Sequence, residues 1–281
     1  KLFNELKKTK YITDKSFDQN TKFLLINYIM KLDEKIKNKY LLSKNFNLFK
    51  FFYFINQKLR SLKKVKKSFS SNSVDLIIGE IFKNKKKGIY IDVGCNHPFI
   101  GNNTYKLFKK GWSGINIDLD YTFINSFNFY RPKDNNIQIG ISDKSGEQEM
   151  FYHHERSAIN TLENSRSSKA TSKKIIKTST LNEIIQKSDF KDKEIDYVSI
   201  DVEGFELNVL KGFDLKKYKP KALSIEFIDP GMKKEEFYHQ NINNIMNSDV
   251  YKFMTDNDYH FVNLLHSDLI FVSREIFLGI N

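Results

Sequence analysis

Cysteine is nearly absent from this sequence: Cys95 is the only one, so no intrachain disulfide can form, and no Cys/His cluster has the spacing of a structural zinc site. A reducing, cytoplasmic setting is the expectation that follows. Long apolar runs are missing too, because Lys44, Lys50 and Lys58 interrupt the best candidate before it reaches bilayer length. No internal repeat is present. Beyond residue 70 the chain also lacks any surplus of positive charge. The formal net charge is +12, but residues 1–70 hold 18 Lys/Arg against 5 Asp/Glu, and the remainder 28 against 29. A nucleic-acid-binding face needs clustered Lys/Arg to neutralise phosphates, so none is expected on the main body. The sequence begins at Lys1 rather than at methionine, which leaves an upstream segment, a signal peptide included, open.

What is present suffices for a sizeable core: 40% of the 281 residues are hydrophobic and 14% aromatic. That length suits one α/β core with an appendage. We divide the chain into a basic helical extension, residues 1–74, and a main domain, residues 75–281. In the extension Leu24, Leu25, Tyr28, Ile29 and Leu32 recur at helical spacing. An aromatic run, Leu48 to Ile55, then precedes Lys63, Lys64, Lys66 and Lys67. Residues 44–67 can therefore lie on an anionic membrane surface, at its inner face. Alternatively Phe49, Phe51, Phe52 and Phe54 pack onto the main domain or onto a second subunit in a homo-oligomer. Ser68 to Ser73 reads as a linker.

From residue 75 onward, apolar runs of strand length alternate with helical patterns, which predicts a mainly parallel sheet with helices on both faces. Strands are predicted at Ile89–Val93, Gly114–Asp118, Ile137–Ile141, Tyr197–Asp201, Ala222–Phe227, His260–Leu265 and Leu269–Val272, the last two as an antiparallel pair. Thr180-Leu-Asn-Glu183 is a capping box opening a helix over Leu181–Lys187, and Gly212 closes a helix that begins near Glu206. Residues 153–178, rich in Ser, Lys and Arg, show no period and read as a long insertion, the kind of loop that usually carries function.

The first chemistry-bearing segment is Gly88-Ile-Tyr-Ile-Asp-Val-Gly-Cys-Asn96, a buried strand running into a turn where Gly94 lets backbone approach a ligand. A dinucleotide site would read Gly-x-Gly-x-x-Gly, with bare backbone facing a pyrophosphate. Here Asp92 precedes the turn, and a carboxylate repels a pyrophosphate but accepts hydrogen bonds from a cationic amino group. The segment thus favours S-adenosylmethionine, with Asp92, Gly94 and Asn96 at its amino-acid end. The next strand ends in Asp118, where an acid can hold both ribose hydroxyls. The bland alternative is that Asp118 orients the loop while Asp120 caps the following helix. The third strand delivers Ser142 and Asp143 to the same edge for adenine, although Asp143 also begins an ordinary hairpin turn, Asp-Lys-Ser-Gly.

The reaction centre is expected at Ile195-Asp-Tyr-Val-Ser-Ile-Asp-Val-Glu-Gly-Phe-Glu206. Asp201, Glu203 and Glu206 crowd one strand-to-helix edge, which costs free energy unless a cation, a proton or a helix N-terminus offsets it. Asp201 can bound the cofactor and act as general base, or it can bind a divalent metal such as magnesium with Glu203 and Glu226. Glu206 reads better as a first-turn helix acid. His97, held extended by Pro98, is a second candidate base. His153, His154, Arg156, Ser157, Asn160 and Thr161, in the insertion, are candidates for recognising a polyhydroxy or acidic acceptor, or are simply solvated.

With these residues in hand, the main domain resembles the FkbM-type methyltransferase family. The likeness runs from about Gly88 to Val272 and rests on Asp92-Val-Gly-Cys-Asn-His-Pro98, Asn103-Thr-Tyr105, Gly111-Trp-Ser-Gly-Ile-Asn-Ile-Asp118, Ile141-Ser-Asp143 and Asp196 to Gly212. The resemblance implies the class I methyltransferase (Rossmann-like) fold and O-methylation, often of a sugar hydroxyl in surface glycans. Asp118-Leu119 departs from the Glu-Pro of many members, and Cys95 from a common Ala. A small-molecule or glycan acceptor is the partner this implies. Two rivals stay open: an N-methyltransferase on nucleic acid, which the absence of an Asn-Pro-Pro-Tyr-like motif disfavours, and a membrane- or partner-docking protein with a degenerate pocket.

Overall fold

A computed structural model describes residues 47–152, 172–227 and 241–279. The chain divides into two compact units, residues 1–66 and 67–281. The first unit contributes helix α1, Asn47–Lys64, with Phe54 and Leu59 exposed on it. Among the described residues no helix is long and apolar enough to cross a membrane. The unit boundary falls at residue 66, ahead of the expected 74, because Ser68–Ser73 is tied into the second unit. Asp75 accepts hydrogen bonds from the Ser68 hydroxyl (2.6 Å) and the Phe69 amide (2.9 Å), and the Asn102 amide donates to the Phe69 carbonyl (3.0 Å). The expected linker is a docked strap.

The second unit opens with α2 (Val74–Ile81) and then alternates strands and helices: β1 (Ile89–Val93), α3 (Tyr105–Lys109), β2 (Ser113–Asp118), α4 (Tyr121–Tyr130), β3 (Asn135–Gln138) and β4 (Gly140–Ile141). After β5 (Gly146–Tyr152) and β6 (Ser172–Ser179) come α5 (Leu181–Lys187), β7 (Tyr197–Ile200), α6 (Glu206–Lys211), α7 (Leu215–Tyr218) and β8 (Ala222–Glu226). The chain continues through α8 (Ile242–Asn247), α9 (Asp249–Asp256), β9 (Tyr259–Leu265), β10 (Asp268–Ser273) and α10 (Arg274–Phe277). Seven strands form one sheet in the order β3-β2-β1-β7-β8-β10-β9, parallel except where β10 runs antiparallel to β8 and β9.

The pleat sorts β1 onto two cores. Ile91 and Val93 join α5, α6 and α9 on one face, whereas Tyr90 packs with α2, Leu107 and Trp112 on the other. All four residues of β7 are buried, as a strand covered by helices on both faces requires. Because β2 and β7 flank β1 on opposite sides, the chain reverses direction of travel across the sheet there. The loops that leave the carboxyl ends of β1 and β7 therefore depart in opposite directions, the arrangement that opens a crevice at such a sheet edge.

Two expectations need correction. The predicted strand Ile137–Ile141 breaks at Ile139, whose amide bonds to the Asp118 carbonyl (3.1 Å); β4 then leaves the main sheet to pair with β6. The last residues of the supposed insertion, 172–178, belong to strand β6, which pairs antiparallel along all of β5. Its side chains are mostly exposed, so backbone pairing rather than apolar periodicity defines it, and a periodicity search has nothing to find. Thr180 does cap α5 through the Glu183 amide (3.2 Å). Gly212 ends α6 at φ −83°, and there a Cβ would lie 2.2 Å from the Ser142 carbonyl oxygen, so close packing is what demands glycine.

Candidate functional site

The turn after β1 is pinned from both sides. Gly94 and Cys95 donate to the Ile117 carbonyl (2.9 and 3.1 Å), and the Asp201 amide donates to Val93 (2.9 Å). Gly94 sits at φ +78°, and a Cβ on it would lie 1.7 Å from the Asp201 carbonyl oxygen. Only glycine lets the ends of β1 and β7 come this close. Beside them opens a cavity of about 570 Å³, lined by Asp92, Gly94, Asn96, His97, Asp118, Asp201, Glu203 and Glu226 among others.

Asp92 is buried, and its Oδ2 accepts from Asn102 Nδ2 (3.0 Å) and Thr104 Oγ1 (2.8 Å). Both bonds fall on one oxygen, so the other keeps its lone pairs for a ligand. Burial pushes this carboxyl above its ordinary range, against the pull of Thr104 and the Arg131 charge. Arg131, which nothing in the sequence pattern flags, is fully buried behind the turn. Its guanidinium donates to Thr104 Oγ1 (2.9 Å), Asn102 Oδ1 (2.9 Å), the Tyr90 hydroxyl (3.2 Å) and the Pro98 carbonyl. Both residues that hold Asp92 are thus held by Arg131.

Asp118 orients the loops beside it, as its structural alternative expects. One oxygen takes the Asn96 amide and the other the Asp120 amide, each at 2.9 Å, which fixes the loops after β1 and β2. It also borders the cavity, and burial pushes its carboxyl up to about 6. Asp120 caps α4 through the Thr122 amide (2.8 Å). Leu119, Phe123, Ile139 and Ile141 supply apolar lining to the cavity that Asp118 borders. Ser142 and Asp143 are not brought there. Ser142 is buried, donating to Asp143 (2.9 Å) and accepting from Gln148 (2.9 Å), because the chain has already turned into the smaller sheet.

At the far end, Asp201, Glu203 and Glu226 each place an oxygen within 4.8 Å of the others. Burial, then the Glu203 charge, pushes Asp201 well above the usual carboxylate range, while a hydrogen bond with Glu226 opposes the shift. These three residues are the ones that would hold a divalent cation; a proton shared between Asp201 and Glu226 relieves part of the same repulsion. Glu203 adopts φ +58°, a left-handed conformation that costs a side-chain-bearing residue roughly 1–2 kcal/mol. Glu206 is the strut of this turn: its Oε1 accepts from Val202 (3.1 Å) and Gly204 (3.0 Å).

His97 lines the cavity, but its Nδ1 accepts from the amides of Phe99 (3.3 Å) and Ile100 (3.2 Å). The neutral ring therefore carries its proton on Nε2 and presents a donor rather than a base. Burial lowers its pKa, which favours this neutral form. Sequence reasoning missed two further walls. Ser71 and Asn72, from the strap, line the cavity, with Asn72 donating to the buried Asp268 (2.9 Å). His266 and Ser267, at the β9–β10 turn, line it as well. The candidate acceptor residues His153, His154, Arg156, Ser157, Asn160 and Thr161 lie outside the described residues.

A carboxylate behind a glycine turn, a second at the next strand end and apolar side chains in the same lining form a cradle that fits a sulfonium nucleoside. In agreement, the family model described as the methyltransferase FkbM domain matches residues 92–260. The chain belongs to the FkbM methyltransferase family. Its sheet is the class I methyltransferase arrangement, and the family makes it an S-adenosylmethionine-dependent methyltransferase. A solved structure, a TehB-like SAM-dependent methyltransferase from Corynebacterium glutamicum ATCC 13032, aligns over 79% of this chain and 97% of its own, with 10% identity and a TM-score of 0.35. No curated protein matches the chain.

Proposed function

We propose that this FkbM methyltransferase transfers a methyl group to a carbohydrate hydroxyl, in a surface glycan or a related sugar. The observation that supports the reading is the convergence of Asp92, Asp118 and Asp201 on one cavity. S-adenosylmethionine supplies an activated methyl group, so the protein's tasks are to orient the acceptor and to take its proton. Asp118 would hold the ribose and Asp92 the ammonium group. Asp201 is the proton acceptor: burial and the neighbouring Glu203 charge raise its affinity for a proton above that of an ordinary carboxylate. His97 donates from Nε2 to orient the acceptor oxygen.

Calorimetric titration with S-adenosylmethionine and S-adenosylhomocysteine tests the first step, and binding of neither would end the reading. The second step is read as S-adenosylhomocysteine released on incubation with sugars, extracted glycans and oligonucleotides. Turnover on the oligonucleotides alone would replace the carbohydrate by a nucleic acid.

A further inference from the structure

Arg131 is the only cation among the described residues that is buried, and it is buried completely. The usual partner of such a group is a carboxylate in direct contact. Arg131 instead donates to five neutral oxygens, those of Tyr90, Pro98, Asn102, Thr104 and Asn116. It also lies over the rings of Phe108 and Phe127, at 4.9 and 4.8 Å. Two carboxylates stand one residue further out: Asp134 accepts from Tyr90 and Asn116, and Asp92 accepts from Asn102 and Thr104. Asp134 serves the fold, holding the Gly114 amide of β2 (3.1 Å), whereas Asp92 borders the cavity.

A guanidinium only donates, so it dictates which way its neighbours point. Asn102 has to turn Oδ1 toward Arg131 (2.9 Å), which leaves Nδ2 for Asp92 (3.0 Å) and the Cys95 carbonyl (3.1 Å). Thr104 has to accept from Arg131 Nη1 (2.9 Å), so its own proton goes elsewhere. Of the two oxygens in reach, Asp92 Oδ2 (2.8 Å) is the charged and stronger acceptor, and Asn102 Oδ1 (2.9 Å) is neutral. Both donors therefore fall on the same oxygen of Asp92. Without Arg131 the Thr104 hydroxyl is free to rotate, and Asn102 keeps only the Thr104 amide (3.1 Å) as a hold on Oδ1. We propose that Arg131 is a positioning residue for the amino-acid end of the cofactor: through Asn102 and Thr104 it saturates one oxygen of Asp92 and reserves the other for the ammonium group. The proposal rests on the S-adenosylmethionine reading above. It makes the amino-acid tail, and not the nucleoside, the part of the ligand that this network controls.

Two ligands separate tail from nucleoside: S-adenosylhomocysteine, and methylthioadenosine, which keeps the nucleoside and the thioether but has no amino acid. Both are titrated calorimetrically into the full chain. Thr104→Val keeps nearly the same shape without the hydroxyl, and Asn102→Asp keeps an acceptor for Arg131 without the donor to Asp92. Each is expected to bind S-adenosylhomocysteine about tenfold more weakly while holding methylthioadenosine within about twofold of wild type. Thr104→Ser, which retains the hydroxyl, should recover the wild-type ratio of the two affinities. Arg131→Met should show the same selective loss; if it does not fold, the two nearly isosteric variants carry the test. In an Asp92→Asn background Thr104→Val should leave the ratio unchanged, since the network acts through Asp92. Equal losses on both ligands, or an undiminished ratio in Thr104→Val and Asn102→Asp, would overturn the proposal and leave Arg131 a structural residue. So would a selective loss that persists in the Asp92→Asn background. Wild-type protein that binds neither ligand would instead overturn the cofactor reading, and the proposal with it.

Discussion

A methyl group on Gly94 would lie 1.7 Å from the Asp201 carbonyl oxygen and 2.8 Å from its carbon. Non-bonded carbon and oxygen settle at about 3.3 Å or more, so in Gly94→Ala the ends of β1 and β7 must part by about 1.5 Å. That movement breaks the Asp201 amide bond to Val93, now 2.9 Å. The left-handed φ of +78° costs alanine roughly 1–2 kcal/mol. Overpacking adds about 1–3 kcal/mol and the broken hydrogen bond about 1. The total, roughly 3–6 kcal/mol, corresponds to a melting temperature lower by on the order of 10 °C for a unit of this size. Gly111 supplies the control, since it sits at φ +96° with nothing within 4 Å of its would-be Cβ. Gly111→Ala suffers the strain alone. The assay pairs thermal melts with calorimetric titration of S-adenosylhomocysteine. Gly111→Ala should keep wild-type affinity, whereas Gly94→Ala should lose about 100-fold, because the misplaced turn no longer aims Asp92 and Asn96. Wild-type affinity in Gly94→Ala would refute the claim that the cavity depends on this approach.

Four further outcomes are expected. Burial raises Asp118 to about 6, so below that pH the free protein carries a neutral carboxyl there, and S-adenosylhomocysteine affinity should fall as pH drops through this range; Asp118→Asn should flatten the profile. Asp92→Asn should weaken cofactor binding about tenfold, while Asp201→Asn should leave binding intact and cut S-adenosylhomocysteine release by about 100-fold or more; equal loss of affinity in both would contradict the division of roles. Arg131→Met removes the shared donor behind the turn and should destabilise the protein by about 3–5 kcal/mol in denaturant melts, and a loss below about 1 kcal/mol would show that the network is dispensable. Glu203→Gly should stabilise the fold by about 1 kcal/mol, as the left-handed conformation suits glycine, while lowering turnover; a stability loss would mean the side chain holds the turn.

Much of this was legible in the order of residues. Ile89–Val93 and Tyr197–Ile200 are short, mostly apolar runs that lead into a glycine turn and an acid respectively, and a strand buried on both faces leaves that signature in any context. The Thr180 cap was legible for the same reason, being a contact across three residues. What escaped were features whose partners are remote in sequence. β6 is defined by a neighbour beyond the insertion, and Asn72 reaches Asp268 across 196 positions. His266 and Ser267 reach the cavity only because β10 inserts beside β8.

The sequence by itself therefore determined the sheet, the glycine turn and the identity of the carboxylates, because strand periodicity and turn chemistry act over a few residues. Only the tertiary structure decided which carboxylates share a cavity, that Ser142 and Asp143 stay out of it, and that His97 offers a proton instead of taking one. Those outcomes depend on strand order, burial and hydrogen bonds between segments far apart in the chain, and no local pattern encodes them.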